Sequence, residues 1–402
     1  DRRTNSHHLV YPSTQSTMNT PINFDAESER SGTNSTKWDR YRGTDILPMW
    51  VADTDFVVAP EIANAMRQRQ SHGVFGYTNK PDKLNELVVE RLRRLYQWEI
   101  EPQWLVWLPG VVSGLHMGTR CVGSSGDTVL VPSVIYTPFK AVPELSDRQA
   151  QNIPMIKSDG RWVLDLDWIE ANIKTDSRVL LLCNPQNPGG SVYTRAELSR
   201  LAELAITHDL IVCSDEIHCD LILEPGRTHI PIAMLDQQIA SRSITLMAPS
   251  KTFNTAGLSC AFAVVPDASL RHRFTKAGQG IVPYINVFGY TAAQAAYEFG
   301  DDWNRQLIEY LKANRDYLVH EINAIRGLRL DPVEATYLAW IDVSELGLDD
   351  PKSFFEKAGV GLSPGRDFGD DRFVRMNFGC PRSRLQEAVT RMRLAISDYW
   401  GN

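Results

Sequence analysis

From Asp127 onward, short runs of apolar and β-branched residues alternate with stretches whose apolar positions recur every three or four residues. The runs DTVLV, RVLLLC, LIVCSD, SITLM and CAFAVV are apolar nearly throughout rather than at every second position. That texture predicts strands covered on both faces, as in a mostly parallel sheet between layers of helix. Between two of these runs, TRAELSRLAELAITHD places Leu198, Leu201, Ala202 and Ala205 on one stripe, preceded by Thr194 and Glu197 at the spacing of a capping box. A helix laid on the sheet follows. A longer stretch, DDWNRQLIEYLKANRDYLVHEINAI, repeats Leu307, Leu311, Leu318 and Ile322 at helical spacings and leads into the strand-like TYLAWIDV. The change of texture near residue 300 predicts a second, smaller unit of an α/β protein.

Composition narrows the function classes. The chain has 402 residues, enough for more than one domain, and no apolar run approaches the length of a membrane span. A formal net charge of -7 leaves no basic surplus to neutralise phosphates, so neither a nucleic acid nor a membrane is an expected partner. The six cysteines, Cys121, Cys183, Cys213, Cys219, Cys260 and Cys380, lack paired metal-site spacing and fall mostly in apolar runs. They read as buried reduced thiols of a cytoplasmic protein, with no metal site.

Candidate chemistry gathers where predicted strands end, the edge at which open α/β sheets bind ligands. After RVLLLC comes NPQNPGG (184–190), whose prolines and glycines make an irregular loop able to fix asparagine amides; alone, it is also an ordinary tight turn. After LIVC comes SDEIH (214–218), with Asp215 at a strand end where a buried carboxylate needs a partner, commonly an arginine. After SITLM comes APSKTFNTAGLS, with Lys251 among small residues; a lone lysine usually reaches solvent along its stem. Taken in order, an asparagine loop, an acid and a lysine, each after its own strand, meet the needs of a pyridoxal 5'-phosphate site. The lysine amine joins the aldehyde, the acid pairs with the ring nitrogen, and the asparagine bonds the ring oxygen.

Six stretches together carry a resemblance: RSGTNSTKWDRY (30–41), DILPMWVADTDF (45–56), HGVFGYT (72–78), SDEIH, PSKTFNTAGL (249–258) and FVRMNFGCPRSRL (373–385). From about Asn23 to its end the chain resembles the fold-type I pyridoxal phosphate enzymes of the aspartate aminotransferase superfamily. Within them it is similar to the cystathionine β-lyase branch of C-S lyases, which includes the maltose-regulon modulator. The resemblance implies a mostly parallel central sheet flanked by helices and a smaller α/β C-terminal domain. Residues 1–22 would be a disordered arm or expression remnant, 23–60 a segment joining the small domain, 61–300 the large cofactor-binding domain and 301–402 the small domain.

The same resemblance implies roles. Lys251 would hold the cofactor and later act as base at Cα; Asp215 would pair with the ring nitrogen, and Asn187 would contact the ring oxygen and the substrate. Tyr136 in PSVIYTPF would stack on the ring, with Phe139 nearby as a rival. Val111 and Val112 in LPGVVSG would bind the phosphate through their main-chain N–H groups, with Ser250 as a further donor. Tyr77 would reach the phosphate of a neighbouring subunit in a homodimer, and Arg375 would take the substrate carboxylate with its planar fork. His218 stands where many aminotransferases have a tyrosine, with its role open and a packed histidine as the plain alternative. Two positions depart from the wider superfamily: Ser259 replaces an arginine and Ala248 a serine, leaving fewer side-chain donors for phosphate. Trp50, Val51, Asp53 and Tyr284 are candidates for the substrate side chain.

The implied activity is α,β-elimination of cystathionine or a related L-cysteine S-conjugate to a thiol, pyruvate and ammonia. Two alternatives stand beside it: an aminotransferase built on the same residues, and a regulatory role through a protein partner.

Overall fold

A computed structural model describes residues 21–401. The arm expected over 1–22 lies outside the described residues except for Pro21 and Ile22, and Ile22 N–H already bonds to Gln306 Oε1 (2.8 Å).

Eight strands form the large sheet: β1 (Leu105–Leu108), β2 (Thr128–Ser133), β3 (Gln149–Ser158), β4 (Arg161–Leu164), β5 (Ser177–Cys183), β6 (Ile211–Asp215), β7 (Ser243–Met247) and β8 (Ala261–Val264). Their order is β1-β8-β7-β6-β5-β2-β3-β4. The strands from β3 to β7 run parallel to their neighbours in that order, while β4, β8 and β1 join antiparallel. The continuous apolar runs are the central strands, and every residue of β7 is buried. Strand β3, next to edge strand β4, mixes exposed and buried positions.

Helices cover both faces. Helix α1 (Val111–Arg120) lies flush on the sheet because two glycines face it. A Cβ at Gly114 would stand 2.6 Å from Leu246 Cδ2, and one at Gly118 would stand 2.7 Å from Cys213 Sγ. Helix α2 (Arg195–Thr207) begins as read from the sequence: Thr194 Oγ1 accepts from Glu197 N–H, and Glu197 Oε2 accepts from Thr194 N–H. Its stripe of Leu198, Leu201, Ala202 and Ala205 is buried against the sheet. None of the described helices is long and apolar enough to cross a membrane.

After helix α3 (Asp301–Asn323) a second, antiparallel sheet forms from β9 (Arg329–Leu330), β10 (Leu338–Asp342), β11 (Ser363–Pro364) and β12 (Phe373–Asn377), in the order β9-β10-β12-β11. The chain closes with helix α4 (Arg382–Gly401). The N-terminal segment is woven into this part: Leu47–Pro48 pairs parallel with Val360–Gly361. Asp55, fully buried, accepts from Arg30 (2.7 Å), Lys37 (3.0 Å), Arg384 (3.0 Å) and the Trp38 indole (2.9 Å), which ties residues 30–55 to α4.

Candidate active site

Strands β5, β6 and β7 are adjacent and parallel, so the three loops that follow them open on one edge of the sheet. There they enclose a cavity of about 360 Å³ with the start of α1. Val111, Val112, Tyr136, Asn187, Asp215, His218, Ser250 and Lys251 all line it. Tyr136 is the aromatic that faces the cavity; Phe139 is fully buried in the core behind it. The loop and the aromatic are locked together, since Tyr136 N–H donates to Asn187 O (3.1 Å). At the opposite wall, the first-turn N–H groups of α1 have no intrahelical acceptor and carry the partial positive end of the helix dipole.

The charged groups are held far from their ordinary states. Burial, with Arg375 adding to it, lowers the Lys251 amine to about 8, and its Nζ donates to the Ala52 carbonyl (2.7 Å). Burial raises the Asp215 carboxyl to about 7, with Glu216 adding to it, while the Ile217 N–H (3.0 Å) and the charge of Lys251 pull the other way. The arginine partner that a lone acid would take is absent from the described residues. Neighbouring Glu216 contrasts with it: Ser214 Oγ (2.9 Å), His229 Nε2 (2.7 Å) and Ile232 N–H (3.3 Å) satisfy its carboxylate.

Burial, and then Lys251 and Arg375, push His218 down to about 3. Its imidazole is therefore neutral, and neither ring nitrogen has a partner among the described residues. Arg375, on β12, is buried and lowered to about 10 by that burial. It donates to Asn187 Oδ1 (3.0 Å) and Trp50 O (3.0 Å), leaving Nε unpaired. Arg375 thus stands behind Asn187 and joins the second sheet to the cavity.

Other expectations fall elsewhere. Tyr77 lies outside the cavity and is fully exposed, near the exposed Val74 and Phe75 of the same stretch. Tyr284 is also exposed and lines a different hollow, so it is not a wall of this cavity. Asp53 is drawn into ion pairs with Arg30 and Lys37, and the Trp50 indole donates to Lys37 O under the Arg40 guanidinium. Trp50 contributes its carbonyl instead. The two departures from the wider superfamily, Ser259 and Ala248, do line the cavity. So do Cys183 and Cys260, whose thiols burial pushes up, Cys183 well above the ordinary range and Cys260 to about 12.

Sequence reading missed Ala52, whose contribution is a backbone oxygen, and Tyr337, whose hydroxyl shares that oxygen (3.0 Å). Its place within the strand-like TYLAWIDV was the only trace of Tyr337.

The unsatisfied groups define a ligand. A helix N-terminus suits an anion, a buried carboxylate without a cation suits a protonated ring nitrogen, and an amine lowered toward neutrality suits a carbonyl carbon. Pyridoxal 5'-phosphate carries all three complements, and the residues present fit it.

The model of the family described as aminotransferase class I and II matches residues 45–392. Cystathionine beta-lyase PatB of Bacillus subtilis (strain 168) is 37% identical over 391 residues, covering 94% of this chain and 100% of that protein. Among solved structures, OvoB is 48% identical with a TM-score of 0.92, covering 94% of this chain and 99% of that one. Cystalysin from Treponema denticola, which contains a pyridoxal 5'-phosphate cofactor, is 29% identical with a TM-score of 0.90, covering 94% and 100%.

Proposed function

Since the chain belongs to the aminotransferase class I and II family, we propose that it is a pyridoxal 5'-phosphate-dependent carbon–sulfur β-lyase. It converts cystathionine or a related L-cysteine S-conjugate, with water, to a thiol, pyruvate and ammonia. The observation that carries this reading is the end-to-end likeness to a cystathionine β-lyase, in a chain whose cavity gathers Lys251, Asp215 and Asn187.

When bound, the cofactor supplies an aldehyde for amines and a ring that withdraws electrons from the substrate's Cα. Lys251 would hold the cofactor through its amine and would take the Cα proton of the bound substrate. An amine lowered to about 8 is partly uncharged at neutral pH, as a base must be. Asp215 keeps the proton on the ring nitrogen, and that proton relieves the carboxylate of its unpaired burial. Asn187, held by Arg375 and by the backbone of Tyr136, presents its amide to the ring oxygen. Tyr136, which lines the cavity, would stack on the ring. Val111 and Val112 N–H groups and Ser250 take the phosphate, while His218 lines the same cavity as a neutral imidazole near Lys251 and Arg375. Arg375 fixes the substrate carboxylate, orienting the Cα–H bond toward Lys251.

The working unit in this reading is a homodimer. Tyr77, with no role in its own subunit's cavity and an exposed apolar setting that includes Val74 and Phe75, reaches the phosphate of the second copy.

The experiment is pyruvate release from L-cystathionine by protein loaded with pyridoxal 5'-phosphate. Wild type is expected to release pyruvate without any keto-acid acceptor, and Lys251→Ala to lose both the cofactor's bound absorption band and turnover. Turnover that demands a keto acid would make the protein an aminotransferase instead.

A further inference from the structure

The Lys251 amine rests on one backbone oxygen. Ala52 O accepts from Lys251 Nζ (2.7 Å) and from Tyr337 Oη (3.0 Å). That oxygen is not free to wander, because side chains grip the carbonyls on either side of it. Trp50 O accepts from Arg375 (3.0 Å) and Ser363 Oγ (3.0 Å). Asn377 Nδ2 donates to Val51 O (2.5 Å) and Asp53 O (2.6 Å), and Asn254 Nδ2 to Thr54 O (3.1 Å) and Phe56 O (2.8 Å).

Tyr337 is buried in an edge-to-face contact with His218, and burial drives its phenol far above the ordinary range, so the hydroxyl is a permanent donor. Asp53, Asp215, His218 and Arg375 are the other titratable or charged groups that act on Lys251. No hydrogen bond joins Lys251 to either acid, so beside burial and the charges of Arg375, Asp53 and Asp215 the Ala52 carbonyl is the hydrogen-bond contact that favours the ammonium. A hydrogen bond to a charged form favours that form. A carbonyl already holding one donor accepts less strongly from a second.

We propose that Tyr337 is a positioning residue for Lys251: its hydroxyl fixes the Ala52 carbonyl as the resting acceptor of the free amine and, by occupying part of that oxygen, disfavours the amine's charged form. This rests on Lys251 being the residue that captures the cofactor. Tyr337 touches no reacting atom; it acts through Ala52 on where the amine waits and whether it carries a proton.

The test is the rate at which apoprotein captures pyridoxal 5'-phosphate, followed by the bound cofactor's absorption from pH 6 to 10, on the order of the range that brackets a lysine lowered by burial. Capture needs the uncharged amine, so the rate climbs with pH through the Lys251 titration, while the cofactor's own ionisations are common to all variants. In Tyr337→Phe the midpoint is expected to rise, slowing capture at neutral pH by about three- to tenfold, the scale of one hydrogen bond. The plateau at high pH is expected to stay at the wild-type value. Replacing Tyr337 by 3-fluorotyrosine, a stronger donor of nearly the same shape, is expected to move the midpoint the other way, which loss of packing would not do. An unmoved midpoint in both variants, with wild-type capture intact, overturns the role of Tyr337 and leaves the lyase reading standing. Absence of a capture band in wild type, or its persistence in Lys251→Ala, overturns the reading of Lys251 itself.

Discussion

Asp55 and Asp215 are both buried aspartates, and the protein treats them in opposite ways. Burial pushes both toward the neutral acid. At Asp55 that push is more than offset by Lys37 and Arg384, with the Trp38 indole adding a hydrogen bond, and its carboxyl is lowered. At Asp215 the offset is one backbone N–H and a lysine that makes no hydrogen bond to it, and its carboxyl rises to about 7. Burial alone therefore does not mark a functional acid. The mark is a charge whose partners have been withheld, which a ligand must then supply.

Three substitutions test that contrast. Asp55→Asn strands three cations around a neutral amide and is expected to cost ~3–5 kcal/mol in urea-induced unfolding. Protein that remains folded should keep the bound cofactor's absorption band.

Asp215→Asn is expected to reverse the pattern: pyruvate release from cystathionine falls by about 10²–10³-fold, the range for one preorganised electrostatic contact. The apoprotein, freed of a lone buried charge, becomes more stable than wild type. The sign follows from proton uptake. A carboxyl at about 7 when folded and in the ordinary range when unfolded costs stability as pH rises between those values. The advantage of Asp215→Asn in thermal unfolding of apoprotein should thus be absent near pH 4 and full above pH 7, reaching at most about 4 kcal/mol. Asp55 runs the other way: its contribution is present above the ordinary carboxylate range and is lost as pH falls through its lowered value.

Arg375→Lys keeps a positive charge but loses the planar fork. KM for cystathionine is expected to rise by about ten- to a hundredfold, the worth of hydrogen bonds to a charged group. The cofactor's bound absorption should change little.

Much of this was legible before the structure. Continuous apolar runs mark β5, β6 and β7 because those strands are buried on both faces, and the residues just beyond them become the walls of the cavity. The Thr194 and Glu197 pair marks the start of α2 because a cap is a local event, settled within four residues. What stayed hidden is long-range or carried by the backbone. Strand β3, next to edge strand β4, lacks a continuous apolar run because many of its positions meet solvent. The antiparallel joins of β8 and β1 depend on where distant segments dock. Ala52 acts through an oxygen that every residue possesses, so no choice of side chain could announce it. Tyr284, which lies outside this chain's cavity, illustrates a related limit: an aromatic in a loop reads alike whether it lines a cavity or faces outward.

The two cysteines in the cavity wall bear on what passes through it. A lyase of this kind liberates sulfur compounds, and Cys183 and Cys260 line the cavity gathered around Lys251. Both thiols are held protonated by burial, and thiols rather than thiolates are poor nucleophiles toward disulfides or oxidants. The apolar lining that desolvates Lys251 thus also passivates the enzyme's own sulfur, so that a disulfide or persulfide entering with the substrate meets no resident thiolate with which to exchange.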